Sequence, residues 1–250
     1  MSASRKPHSR GPHQLPPGRH GLTRQFVASN QRERILDAVA EVVSFAGYAA
    51  MSVEDIIATA GVSRRTFYDN FKSKEDAFLT AYDVVGAELS ERVQAAYVAS
   101  ESFAAGVIAC LKAFLEFAAA EPRYAEMCIV EALAAGPAAI ERRNNVMKTL
   151  AALLYKGAQR APEGNRPPEL VAETIVGGIY EIVYSRVLQG SAEELPELLP
   201  DLAYSMMLPY LGHATAEREV ARLRTEASNT DRGQQPISES VVRIEARRRM

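Results

Sequence analysis

The chain has 250 residues, 47% of them hydrophobic and 24% charged, with a formal net charge of −2, the balance of a soluble globular protein with one or two domains and a substantial core. No apolar run approaches the ~18 residues of a membrane helix. The basic N-terminus is not followed by an apolar segment, so it does not read as a secretory leader.

Charge is unevenly placed. Residues 1–34 carry seven Lys/Arg against one acid, Glu33, whereas the stretch beyond residue 76 sums to about −5. A basic front and an acidic back fit a DNA-facing end joined to a regulatory body. Residues 1–29 are rich in Ser, Pro, Gly, Arg and His, and are expected to be a disordered basic arm able to track phosphates. Three of the four histidines, His8, His13 and His20, fall there and offer no preformed metal geometry.

The first helix is expected over 30–46, where Ile35, Leu36, Val39, Val42, Val43 and Ala46 form one stripe that ends at Gly47. Ser52-Val53-Glu54-Asp55 resembles a capping box opening a second helix. Gly61 suits a left-handed helix end, and Ser63 suits the cap of a third. Phe67 and Phe71, four apart, point to one side. Arg64, Arg65, Thr66, Tyr68 and Asn70 remain for the start and outer face. Arginine can pair with guanine edges, threonine can touch a thymine methyl, and tyrosine or asparagine can bond phosphate. Ser73 caps a fourth helix, with Asp76 three residues on.

Helix, helix, glycine turn, helix is the helix-turn-helix plan. Ser52-Val53-Glu54-Asp55-Ile56-Ile57, Ala60-Gly61-Val62-Ser63, Thr66-Phe67-Tyr68-Asp69-Asn70-Phe71 and Lys74-Glu75-Asp76 together resemble the N-terminal domain of the tetracycline-repressor (TetR) family over about residues 30–82. The family's pattern usually has His where Asn70 stands. The resemblance implies an all-α protein with a three-helix DNA-binding domain at 30–76 and a larger helical ligand-binding and dimerisation domain at 77–212. Composition adds disordered termini at 1–29 and 213–250, the latter with room for a stray helix. The expected DNA contacts are Ser52, Ser63, Arg64, Arg65, Thr66, Tyr68, Asn70 and Lys74.

Beyond residue 82 the chain is helical and carries no motif. Phe103, Val107, Leu111, Phe114, Leu115 and Ala118 share a stripe, and Pro122 suits a helix start before 124–133. Gly136-Pro137 breaks the chain before a long segment at 138–160, and 161–168 is a loop. A helix over 169–189 contains Gly177 and Gly178, each costing about 1 kcal/mol relative to alanine, so close approach of another helix or a ligand is expected. The apolar stripe of 170–188 and the series Leu195, Leu198, Leu199, Leu202, Met206, Met207 exceed the needs of one small bundle. Two copies packed as four helices would bury that surplus, and the resemblance implies a dimer formed by the last two helices.

No phosphate loop, dinucleotide fingerprint, HExxH or GxSxG occurs, and only His213 lies outside the N-terminal stretch, so no enzyme is expected. No cofactor or metal is implied, and no membrane partner. Cys110 and Cys128 form no CxxC pair and read as small buried hydrophobes of a cytoplasmic, nucleoid-associated protein. The resemblance implies a ligand pocket within the central helices, for which the candidates are Phe114, Tyr124, Met127, Glu131, Met147, Tyr180 and Tyr184, each of which also reads as ordinary core, facing an apolar or amphipathic small molecule. The expected function is a homodimeric repressor of a palindromic operator, released by that ligand. The rival is a constitutive DNA-binding or architectural protein with no ligand.

Overall fold

The computed structural model describes residues 24–159 and 165–234, and side chains over 29–159 and 165–226. Among the described residues all regular structure is helical. The helix α1 (Arg24–Ala50) begins earlier than expected, because no Gly or Pro interrupts the chain between Gly21 and Gly47. Residues 24–29, read from sequence as the end of a disordered arm, are therefore helical. At Gly47 (φ 77°, ψ 157°) the helix breaks, in a backbone region essentially reserved for glycine.

The next two helices are fixed by their caps. In α2 (Val53–Ala60) the Ser52 Oγ accepts the Asp55 N–H at 3.2 Å, and the Asp55 carboxylate accepts the Ser52 N–H at 3.0 Å. Gly61 is left-handed (φ 62°, ψ 39°). In α3 (Arg64–Asn70) the Ser63 Oγ accepts the Thr66 N–H at 3.0 Å. Each such cap is worth about 1 kcal/mol. Ser73 caps α4 (Lys74–Val98) in the same way.

The body contains α5 (Phe103–Ala120), α6 (Pro122–Ala125), α7 (Pro137–Ala158), α8 (Glu169–Leu188), α9 (Leu199–Leu211) and α10 (His213–Gln234). A π-helical turn at Glu126–Val130 and a 3-10 turn at Glu131–Leu133 follow α6. Another 3-10 segment, Ala192–Leu198, precedes α9. Contrary to the expectation from sequence, α5 is long and apolar enough to cross a membrane, with mean hydropathy 1.8 over 18 residues. Its apolarity serves the core instead: Phe103, Val107, Leu111, Leu115 and Ala118 are buried, while Lys112 and Glu116 pair at 3.7 Å on the wet side.

Two apolar clusters form among the described residues. One gathers Ile35, Val39, Val43, Ile56, Phe67, Phe71 and Phe78, and extends into the body through Phe117, Met127 and Ala132. Because α4 contributes Phe78, Tyr82 and Val85 to it, packing does not divide at residue 76. The other surrounds α5 and holds Val183, Leu195, Leu202, Met207 and Tyr210.

Two expectations fail here. The Leu/Met series is not left over for a partner: Leu195, Leu202 and Met207 are buried, and Leu198, Leu199 and Met206 pack against the same core. Nor is 213–234 a structureless tail. Ala216, Val220 and Leu223 recur on one face, and α10 lays that stripe on α9. Arg224 adds a bond to Asp201 at 2.9 Å. The remainder of that tail (235–250) and residues 1–23 of the expected arm lie outside the described residues.

Candidate nucleic-acid interface

The short helix α3 is held from behind by Phe67 and Phe71, which are 0% and 2% exposed. Tyr68 packs edge-on against the Phe67 ring at 5.3 Å and still leaves half its surface in solvent. Arg64 and Arg65 open the helix on the outside. Arg64 meets Glu54 at 2.6 Å, but both side chains are more than half exposed, and a solvated pair of this kind is worth about 1 kcal/mol or less. Arg65, with a 91% exposed side chain, reaches Asp69 only at 3.9 Å. Both guanidiniums can therefore exchange a weak partner for a stronger anion. Thr66 is half-buried, and its hydroxyl lies 2.8 Å from that of Ser63.

The other expected contacts are also tied to the scaffold. Ser52 donates its hydroxyl to Asp55 at 2.6 Å within the capping box. Asn70 donates its amide to the Thr66 carbonyl at 2.8 Å. Lys74 donates to the Met51 carbonyl at 2.8 Å and to the Tyr48 carbonyl at 3.2 Å, and its ammonium sits 4.9 Å from the Tyr48 ring centroid. It thereby satisfies acceptors left open where α1 ends.

Sequence reasoning missed two members of this unit. Arg34 donates to the carbonyls of Ala60 and Gly61, closing the end of α2. Arg32 stacks on the Phe71 ring at 4.7 Å and reaches the Asn70 carbonyl at 3.5 Å. Read as part of a basic front, both instead clamp the turn that presents α3. Their spacing of two on α1, just ahead of the buried stripe at Ile35, is the signal that could have placed them beside α2 and α3.

Among the described residues, polar bonds from the body also reach α1 and α4. Glu131 Oε2 accepts the Tyr48 N–H at 2.6 Å, and its carboxylate lies directly over the Gly47 break. Tyr124 donates to Asp37 at 2.7 Å; burial first, and this bond second, push its hydroxyl up to about 12. Arg142 of α7 donates to Asp83 of α4 at 2.8 Å. The π turn that precedes Glu131 is itself held from α8, where Tyr180 donates to the Ile129 carbonyl at 2.6 Å. Arg143 covers the Tyr180 ring at 3.9 Å.

The seven ligand candidates thus separate. Phe114, Met147, Tyr180 and Tyr184 pack on the body core, with the Tyr180 and Tyr184 rings 6.3 Å apart. Tyr124 and Met127 belong to the N-terminal cluster, and Glu131 has its partner in α1. Cys110 and Cys128 are half-buried free thiols. Desolvation pushes them up to about 11 and about 12, which keeps them protonated and unreactive at neutral pH.

Residues 35–81 match the family described as bacterial regulatory proteins, tetR family. No curated protein matches the chain. Among solved structures, the fatty acid degradation regulator FadR from Bacillus halodurans is similar with a TM-score of 0.64 and 19% identity, covering 72% of this chain and 94% of that one. FadR from Bacillus subtilis in complex with stearoyl-CoA gives 0.62 and 22%, covering 72% and 98%. A TetR-like transcriptional regulator from Rhodococcus sp. RHA1 gives 0.60 and 22%, covering 76% and 97%. At these identities the likeness is one of fold, and it spans nearly the whole of each of those chains.

Proposed function

We propose that this chain, a TetR-family transcriptional regulator by its N-terminal domain and its fold, is a cytoplasmic homodimer that binds a palindromic double-stranded operator and leaves it when a small ligand binds the body. The observation that carries the reading is the outward edge of α3. Arg64, Arg65 and Tyr68 face solvent behind a capped glycine turn, while Phe67 and Phe71 hold the helix down. Arg64, Arg65 and Thr66 would address base edges, with Ser63 and Tyr68 on phosphate. Ser52, Asn70 and Lys74 can add phosphate contacts only through groups their scaffold bonds leave over.

The dimer reading rests on α7 and α8. Val146, Leu150 and Leu153 on α7, and Leu170 and Ile182 on α8, stay exposed at 38% or more. Among the described residues, no heavy atom beyond the helix's own neighbouring backbone lies within 4 Å of where a Cβ would stand on Gly177 or Gly178. Packing within the chain therefore does not account for these helix-weakening glycines, and a partner's helix approaching α8 does.

Ligand response rests on the chain of contacts from α8 through the π turn and Glu131 to the Gly47 break. A ligand that favours another packing of α8 would change that grip, and with it the spacing of the two α3 helices. The complex of B. subtilis FadR with stearoyl-CoA supports an amphipathic ligand here.

Selection of duplexes from random DNA tests the reading. Enrichment of an inverted repeat with half-site centres one helical turn or a multiple apart is expected. No enrichment, or a single unpaired half-site, refutes it. An enriched operator that no acyl-CoA or fatty acid loosens would favour a constitutive DNA-binding protein.

A further inference from the structure

A small cavity opens where the end of α7 meets the segment entering α8. It measures about 70 Å³ and is lined by Tyr155, Ala158, Gln159, Arg166, Pro167 and Tyr210. Tyr210 is 1% exposed, its ring meets Phe103 edge-on at 5.5 Å, and its buried hydroxyl has no hydrogen-bond partner among the described residues. An unpaired buried hydroxyl is costly, and phenylalanine would fill the same space without that cost. Arg166 at the mouth is exposed and has no ion-pair partner among the described residues. Among the described residues no acid lines the cavity. One ordered water needs only ~10–15 Å³, so a single water does not fill this volume.

We infer that this cavity binds an oxyanion, the carboxylate or phosphoryl group of a small ligand, with Arg166 supplying charge and the Tyr210 hydroxyl a buried donor. Burial raises the Tyr210 pKa, with Tyr155 adding to it, so the hydroxyl keeps its proton and donates. Tyr155 and Gln159 offer further donors to the same group. The assignment rests on the ligand-responsive reading above and supplies the polar anchor that reading lacks.

The test compares the full-length protein with Tyr210→Phe and Arg166→Gln in acetate, inorganic phosphate and chloride at equal ionic strength. Acetate or phosphate is expected to raise the Tm of the wild type above its value in chloride, by about 3–6 °C at ten times the Kd. A shift with acetate alone identifies a carboxylate, and a shift with phosphate alone a phosphoryl group. Arg166→Gln should weaken the ion roughly tenfold or more. Tyr210→Phe should weaken it too, while leaving the ion-free protein at least as stable as wild type. Equal Tm values in all three salts, or variants that respond as wild type does, overturn the assignment. Operator binding in the same buffers is a separate readout. An ion that binds without loosening DNA upholds the cavity site and counts against release through it.

Discussion

Replacing Glu131 by alanine should loosen the join between the body and the N-terminal domain. The carboxylate takes the Tyr48 N–H at 2.6 Å, immediately after the helix breaks at Gly47. A charge-assisted bond to a half-buried amide is worth about 1.5–2 kcal/mol, the lower part of the usual range. For a chain of this size that corresponds to a fall in Tm of about 3–8 °C. Glutamine keeps an acceptor and should lose roughly half as much. Gly47→Ala attacks the same joint from the other side. Its φ of +77° is strained for alanine, and the new Cβ would stand 3.4 Å from the Glu131 carboxylate, so a cost of about 1–3 kcal/mol follows. Thermal unfolding and operator affinity should be measured together, since a loosened joint should also weaken DNA binding. The reasoning fails if Glu131→Ala unfolds within about 0.5 kcal/mol of wild type, or if glutamine proves as damaging as alanine.

Four further outcomes are expected. Arg65→Ala should leave Tm unchanged within about 0.5 kcal/mol yet cost about 1–3 kcal/mol of operator affinity at one base position in gel-shift titrations. Lys74→Met, which strips donors from the Met51 and Tyr48 carbonyls, should instead lower Tm by about 1–3 kcal/mol in equivalent stability. Ile182→Arg on the exposed side of α8 should yield a monomer in light scattering, and an intact dimer would move the interface elsewhere. Burial first, and the nearby Glu131 charge second, hold the Glu126 carboxyl above its ordinary 4.5. The folded protein thus binds that proton more tightly than the unfolded chain, so the stabilisation is present below pH 4.5 and lost as pH rises through the folded value. Glu126→Gln should flatten that part of the Tm–pH curve, and a slope equal to wild type would count against it.

The N-terminal helices were legible because their determinants are local. A serine accepts an N–H three residues on, a glycine turns left-handed, and two phenylalanines lie a turn apart. Whatever depends on distant partners was not legible. Lys74 reads as a phosphate contact until Met51 and Tyr48 are seen beside it, and Arg34 reads as part of a basic arm until the Ala60 carbonyl is found. Glu131 suggests a ligand group because its partner is a backbone amide 83 residues away, which leaves no side-chain signature. The Leu/Met series of 195–207 was counted correctly as apolar. Which side of a helix faces inward, however, depends on neighbours such as α10, whose stripe at Ala216, Val220 and Leu223 is diluted by charged residues on every other side.

The Glu131 joint has a consequence for comparing this chain with its relatives. Since the carboxylate recognises a main-chain amide, residue 48 can drift without disturbing it, and paired-substitution statistics between 131 and 48 will be blind to the contact. Its evolutionary footprint should lie one position earlier: lineages that retain an acid at 131 should retain glycine at 47, and the two should disappear together.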